Sequence, residues 1–243
     1  MIVRPIASSS KGNAYVVEQD GEALLIDCGI SCRCLRKAVD PAIVKAVLVT
    51  HNHTDHVGGL RVLLEHYDIP VYANAMTAEA TAAQEKLDDS AFVCFENGQE
   101  FEIGPFRVSP FSVPHDAADP VGYLVRTDLT YFHGTDIGTP LDSIGVKLHE
   151  ADIATLESNH DLSLLNCSAR PECLKQRIRG ERGHLSNDQA AALVRRFASP
   201  RLRRLFLAHL SHECNAPHIA ERTMRETLTA MGRTDIALEV IGG

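Results

Sequence analysis

Short apolar runs, set between clusters of Gly, Ser, Asn and Asp, organise this chain from its start. Ile2 to Ala7, Ala14 to Glu18, Ala23 to Asp27 and Ala46 to Thr50 have strand length and composition, and they predict a strand-rich N-terminal part. The period changes at GGLRVLLEH, which opens at Gly58 and predicts a helix, and a second helical pattern covers Thr77 to Leu87. β-type stretches return at Phe101 to Val113, Val121 to Arg126 and Leu129 to His133, and Ala151 to Glu157 has the apolar continuity of a buried strand. Ser186-Asn187-Asp188-Gln189 predicts a capping box opening a helix over Gln189 to Ala198, with Pro200 beyond its end. A last apolar strand at Leu205 to His209, a helix from Pro217 to about Met231 and a closing strand at Ile236 to Ile241 complete the pattern. Strands alternate with helices in both halves, and no repeat, low-complexity tract or linker divides them. The expectation is one domain over residues 1–243, with two sheets and helices outside them.

Composition narrows this picture. A chain of 243 residues with 44% hydrophobic content can bury a full core. No run approaches the roughly 18 to 20 apolar residues of a membrane span, and MIVRPIASSSKGN lacks a signal-peptide pattern, which predicts a cytoplasmic protein with no membrane association. The seven cysteines are an odd, scattered set, so free thiols are expected; Cys32-x-Cys34 has no second pair at zinc-finger spacing. A net charge of −8 argues against an all-over basic nucleic-acid binder. The charge is segregated, however: residues 170–204 hold ten Lys and Arg against three acids. That segment can form a basic rim or simply the charged outer faces of two amphipathic helices.

The chemistry concentrates where the apolar run AVLVT enters His51-Asn52-His53-Thr54-Asp55-His56. At a strand end, residues two apart point the same way, so His51 and His53 can grip one metal ion through their imidazoles, and Asp55 and His56 can reach a second after the chain turns. Downstream, His115, Asp136 and His209 each follow a β-type stretch. His133 is left without a role, and His66, His149, His212 and His218 read as surface or helix-end histidines.

This H-x-H-x-D-H spacing after an apolar strand resembles the signature of the metallo-β-lactamase superfamily. The resemblance implies an α/β fold, the αββα four-layer sandwich of two mixed β-sheets with helices on the outer faces. It also implies two divalent metal ions, Zn2+ or Mn2+ with Fe2+ not excluded. One would be held by His51, His53 and His115 and the other by Asp55, His56 and His209, with Asp136 shared and Asp27 orienting ligands from behind. Ser10-Lys11-Gly12-Asn13, Pro114-His115-Asp116-Ala117, Glu157-Ser158-Asn159-His160-Asp161 and Gly183-His184-Leu185-Ser186-Asn187 are similar to the bacterial YycJ (WalJ) branch. The chain departs from that branch after its last ligand, where it reads Glu213-Cys214-Asn215.

Membership of that branch implies a 5′-to-3′ DNA exonuclease acting in DNA repair. Two ions can lower the pKa of a bridging water and aim the hydroxide at phosphorus, which makes Asp55 and Asp136 catalytic. His184 is the candidate proton donor to the departing oxygen, placed beside a helix N-terminus whose free N–H groups favour phosphate. Asn159, His160 and His184, with Lys175, Arg177 and Arg179, are the expected substrate contacts. With eight Phe, five Tyr and no Trp to stack bases, recognition of double-stranded DNA by shape and backbone is expected, with little sequence specificity. Two alternatives stay open: a small-molecule phosphodiesterase acting on a cyclic nucleotide or sugar phosphate, and a non-catalytic DNA-binding module. A lactamase, glyoxalase or thioesterase has only the shared metal core in its favour.

Overall fold

The computed structural model describes residues 1–242. The chain forms two compact units, the first made of Met1–Ser112 with Ala117–Asp128, the second of Val113–Asp116 with the residues from Leu129 onward.

In the first unit, β1 (Ile2–Ser9), β2 (Gly12–Gln19) and β3 (Glu22–Ile26) run antiparallel. After helix α1 (Cys32–Ala38) comes β4 (Val44–Leu48), which lies parallel to β3 with Leu25 opposite Val47 and Ile26 opposite Leu48. The predicted helix at GGLRVLLEH is present as α3 (Leu60–Leu64), and a short turn of helix, α2 (Thr54–Val57), precedes it, the two separated at Gly58-Gly59. Gly has the lowest helix propensity after Pro, and at Gly59 a side chain would overlap the Ile30 and Cys28 carbonyls. Strand β5 (Val71–Asn74), helix α4 (Ala75–Glu85) and strand β6 (Phe92–Phe95) finish a six-stranded sheet ordered β1-β2-β3-β4-β5-β6. Strands β7 (Phe101–Ile103), β8 (Phe106–Ser112) and β9 (Val121–Arg126) pair antiparallel. Leu24, Leu25 and Ile26 are fully buried, because β3 is covered on both faces and its apolar run needs no alternation.

The second unit is a run of parallel strands: β10 (Thr130–Gly134), then after α5 (Asp142–His149) β11 (Ile153–Glu157). Helices α6 (Leu162–Cys167), α7 (Glu172–Arg179) and α8 (Asn187–Phe197) precede β12 (Arg204–Ala208), and α9 (Pro217–Ala230) precedes β13 (Ala237–Val240). The predicted capping box is present at α8, Ser186 accepting from the Gln189 N–H while the Gln189 side chain accepts from the Ser186 N–H. The register sets Gly134 beside Leu156, Leu156 beside Leu207 and Glu157 beside Ala208, so three strands end at one level. Functional groups gather at such carboxyl ends of parallel strands.

Sequence patterning passed over α1, β5, β6, α5 and α6. These are short elements of 4–8 residues, too brief for a period to declare itself. Helices α7 and α8 are the two amphipathic helices offered for residues 170–204. All seven cysteines are free thiols, as expected. Among the described residues no helix is long and apolar enough to cross a membrane.

Candidate functional site

Each unit presents its own cluster of metal-ligating side chains. In the first, the backbone continues from β4 through Val49 and Thr50 into the histidine loop. Asp27, one residue beyond β3, is fully buried, and its carboxylate accepts from the Thr50 N–H at 2.8 Å, the Thr50 hydroxyl at 2.9 and 3.0 Å, and His56 Nδ1 at 2.7 Å. Burial pushes the Asp27 carboxyl above its ordinary value, against the opposing pull of His56 and the Thr50 hydrogen bonds. Holding the proton on His56 Nδ1 leaves Nε2 as the electron-pair donor, which is what a metal ligand requires. His51 Nε2 and His53 Nδ1 stand 3.1 Å apart, two ring nitrogens aimed at one point. Asp55 Oδ2 lies 3.5 Å from His56 Nε2.

Asn13, from the motif quoted but given no role, is fully buried beneath this loop. Its Nδ2 donates to Asp55 Oδ2 at 3.1 Å and lies 3.0 Å from His56 Nε2. Gly29 allows the approach, since any Cβ there would overlap the Asp55 carbonyl and crowd the Asn13 N–H.

In the second unit, ligand atoms of Asp136, Glu157, His184 and His209 all lie within 4.8 Å of one another. Glu157 is the organising residue, and sequence reading assigned it nothing. It is fully buried; Oε1 faces His184 Nδ1 at 2.8 Å and His209 Nδ1 at 3.1 Å, while Oε2 accepts from the Ile137 N–H at 2.7 Å and the Leu185 N–H at 3.1 Å. Burial alone would raise its pKa, but the charge and hydrogen bond of His184 and the bond from His209 outweigh it and hold the carboxyl at about 2. The available signal was an acid closing an apolar strand, IATLE, where an unpaired carboxylate would be costly.

His209 and His184, with Nδ1 on Glu157, present Nε2. His115 does likewise, because its Nδ1 donates to the Gly183 carbonyl at 2.9 Å, and burial lowers its pKa so that the ring is held neutral. Its Nε2 lies 3.6 Å from Asp136 Oδ1, which is also 3.4 Å from His209 Nδ1. The His184 side chain is 22% exposed against 2% for His115 and 5% for His209, so it alone of the three has ready access to solvent. Asp27, Asp136 and His209 all adopt positive φ, at 58°, 55° and 57°. Backbone strain of this kind, costing about 1–3 kcal/mol per residue, clusters at functional sites.

Several expected substrate contacts have protein partners of their own. Lys175 is 8% exposed and donates to the Asn166 carbonyl at 2.7 Å, so its charge is turned inward. Arg177 pairs with Asp116 and Arg179 with Glu172. Asn159 donates its amide to the His209 carbonyl at 2.8 Å and so positions a candidate ligand. His160 is buried, which holds it at about 4 and keeps it neutral. At the helix end beside His184 three N–H groups are already engaged: the Leu185 N–H goes to Glu157, Ser186 to Gln189, and Asn187 to the His160 carbonyl. At the departure from the branch pattern, Asn215 ties β11 to α8, its amide donating to the Ser158 carbonyl at 2.8 Å and to Asn187 Oδ1 at 2.9 Å.

The sequence pattern of the Beta-lactamase superfamily domain matches residues 22–210. The chain is 33% identical over 228 residues to the exodeoxyribonuclease WalJ of Streptococcus pneumoniae serotype 2, covering 90% of this chain and 85% of that protein. It is 34% identical over 240 residues to the exodeoxyribonuclease YycJ of Bacillus anthracis, covering 93% and 89%. In structure it is similar to the metallo-β-lactamase fold protein YhfI of Bacillus subtilis, with a TM-score of 0.72 at 19% identity over 98% of this chain and 94% of that one. With two mixed β-sheets and helices, and with His and Asp side chains disposed as metal ligands, this chain belongs to the metallo-β-lactamase-fold superfamily of hydrolases.

Proposed function

We propose that this protein is a metal-dependent phosphodiesterase, a cytoplasmic 5′-to-3′ DNA exonuclease acting in DNA repair, and that residues 1–243 work as one catalytic domain. The observation that carries the reading is the tautomer control described above. His56, His115 and His209 each have Nδ1 tied to a buried acceptor, so each offers Nε2, and that is a donor set built for metal. The exodeoxyribonuclease relatives support the choice of DNA over other esters.

In this reading His51, His53, His115, Asp55, His56, His209 and Asp136 hold two divalent ions, zinc or manganese being suited to imidazole and carboxylate donors. The bound ions supply Lewis-acid polarisation of the phosphoryl oxygens and an activated water. Asp27 and Glu157 hold the ligand rings in the correct tautomer. His184, partly exposed and braced by Glu157, delivers a proton to the departing sugar oxygen.

One observation favours a second reading. Of the ten cations in residues 170–204, Arg170, Arg177, Arg179, Arg196 and Arg201 are each paired with an acid, so the segment offers less to a polymeric anion than its composition implied. A small phosphodiester is the substrate that needs no such rim. Digestion of duplex DNA labelled at either end, beside bis-p-nitrophenyl phosphate, separates the two. Mononucleotides released from the 5′ end establish the exonuclease; intact DNA with hydrolysis of the small diester establishes the other.

A further inference from the structure

Cys32-x-Cys34 drew notice in the sequence for its thiols, but the structure directs attention to the cations around them. Arg33, Arg36 and Lys37 are exposed on α1 at i, i+3 and i+4 spacing, which places them on one helical face. Together with Cys32, Val62 and His66 they line a surface hollow of about 460 Å³ that has no acidic residue in its wall. None of the three makes an ion pair or side-chain hydrogen bond among the described residues. Glu65, which caps the C-terminus of α3, is engaged by Arg61 at 2.9 Å.

Such a face has a cost. Like charges three and four apart repel by a few tenths of a kcal/mol per pair, and a cation in a helix's first turn, as Arg33 is, opposes the helix dipole. Arg36 and Lys37 in the last turn suit that dipole, but Arg33 does not. The contrast with the second unit is informative, since there five cations of the basic segment have acid partners. In a chain of net charge −8, three unneutralised cations around one concavity are what an anion would complete.

We propose that this hollow binds the phosphodiester backbone of DNA at a point away from the reacting phosphate; the proposal rests on the nucleic-acid reading of the active site. The hollow belongs to the same unit as the histidine loop, and α1 begins five residues after Asp27. Arg33 and Arg36 supply forked donors to phosphate oxygens, and Lys37 adds a point charge.

The test is a variant carrying Arg33→Ala, Arg36→Ala and Lys37→Ala, titrated against a long duplex with hydrolysis-resistant phosphorothioate ends over a range of salt. Affinity at low salt is expected to fall about tenfold or more, and the slope of log affinity against log salt to become shallower by roughly two to three units. Turnover of bis-p-nitrophenyl phosphate should be unchanged, which also shows that the variant folds. A second variant, Arg33→Lys with Arg36→Lys, should keep the wild-type slope. Unchanged affinity and slope in the triple variant overturn the proposal. So does loss of binding to phosphatidylglycerol vesicles with DNA binding intact, which would make the face a membrane contact. If the triple substitution weakens DNA binding but the wild type digests neither DNA nor the small diester, the hollow stands and the hydrolase reading fails.

Discussion

The two ligand clusters are built on opposite principles. In the first unit, His51, His53, Asp55 and His56 come from six consecutive residues, delivered by one strand end and one turn. In the second, Asp136, Glu157, His184 and His209 are spread over 74 residues and meet only because three parallel strands end in register. Each has a buried carboxylate at its centre, but the two acids differ. Asp27 serves one histidine and Thr50, and burial raises its pKa; Glu157 serves two histidines and two backbone N–H groups, and these donors lower it. A local cluster needs one brace, whereas a dispersed one needs a hub.

The most severe way to break the comparison is Asp136→Ala or His53→Ala, one ligand from each cluster. Both should reduce turnover below detection, with metal content by atomic emission falling alongside; a variant of either cluster that keeps full activity would show that cluster to be dispensable. Next, His184→Ala should lower kcat by about 10²–10⁴ with little change in KM, in steady-state assays on the small diester. Unchanged kcat would remove His184 from the mechanism.

Replacing the two braces asks which is the hub. Glu157→Gln and Asp27→Asn should each weaken metal binding by about 10–100-fold, Glu157→Gln by more because it serves two histidines. In metal-free protein their pH signatures should oppose. Glu157 ionises at about 2 against an ordinary 4.5, so its contribution to stability is complete above about pH 4.5 and drains away as the pH falls toward 2. Asp27, raised above 3.8, favours the fold most when protonated, and that contribution is lost as the pH rises through its elevated value. Urea midpoints measured against pH for the two variants distinguish the cases, and parallel curves would refute the contrast. The smallest effect belongs to Arg177→Ala with Arg179→Ala. Exposed pairs with Asp116 and Glu172 already offset these charges, so DNA affinity should change by less than about fivefold.

The same contrast explains what could be read in advance. The H-x-H-x-D-H loop, the strands around it and the α8 capping box were legible because each is a local pattern: a period of two, a strand running into ligands, a Ser three residues before a Gln. Asn13 and Glu157 lay inside quoted motifs and still escaped a role, since a lone Asn or Glu acquires meaning only from what is folded against it. The basic segment left two readings open for the same reason. Composition counts charges, but whether Arg177 meets a phosphate or Asp116 is settled by neighbours far away in the chain.

The amino-acid order by itself determined the superfamily, the alternation of strands and helices and the residue types able to bind metal, because hydrophobic period and ligand spacing are properties of neighbouring positions. Tertiary structure alone decided which nitrogen His56, His115 and His209 present, that Glu157 joins His184 to His209, that Lys175 points inward, and that Arg33, Arg36 and Lys37 share one hollow on α1. Those outcomes depend on burial and on contacts between distant residues, where desolvation makes every buried charge find a partner and leaves only the surface free to wait for a ligand.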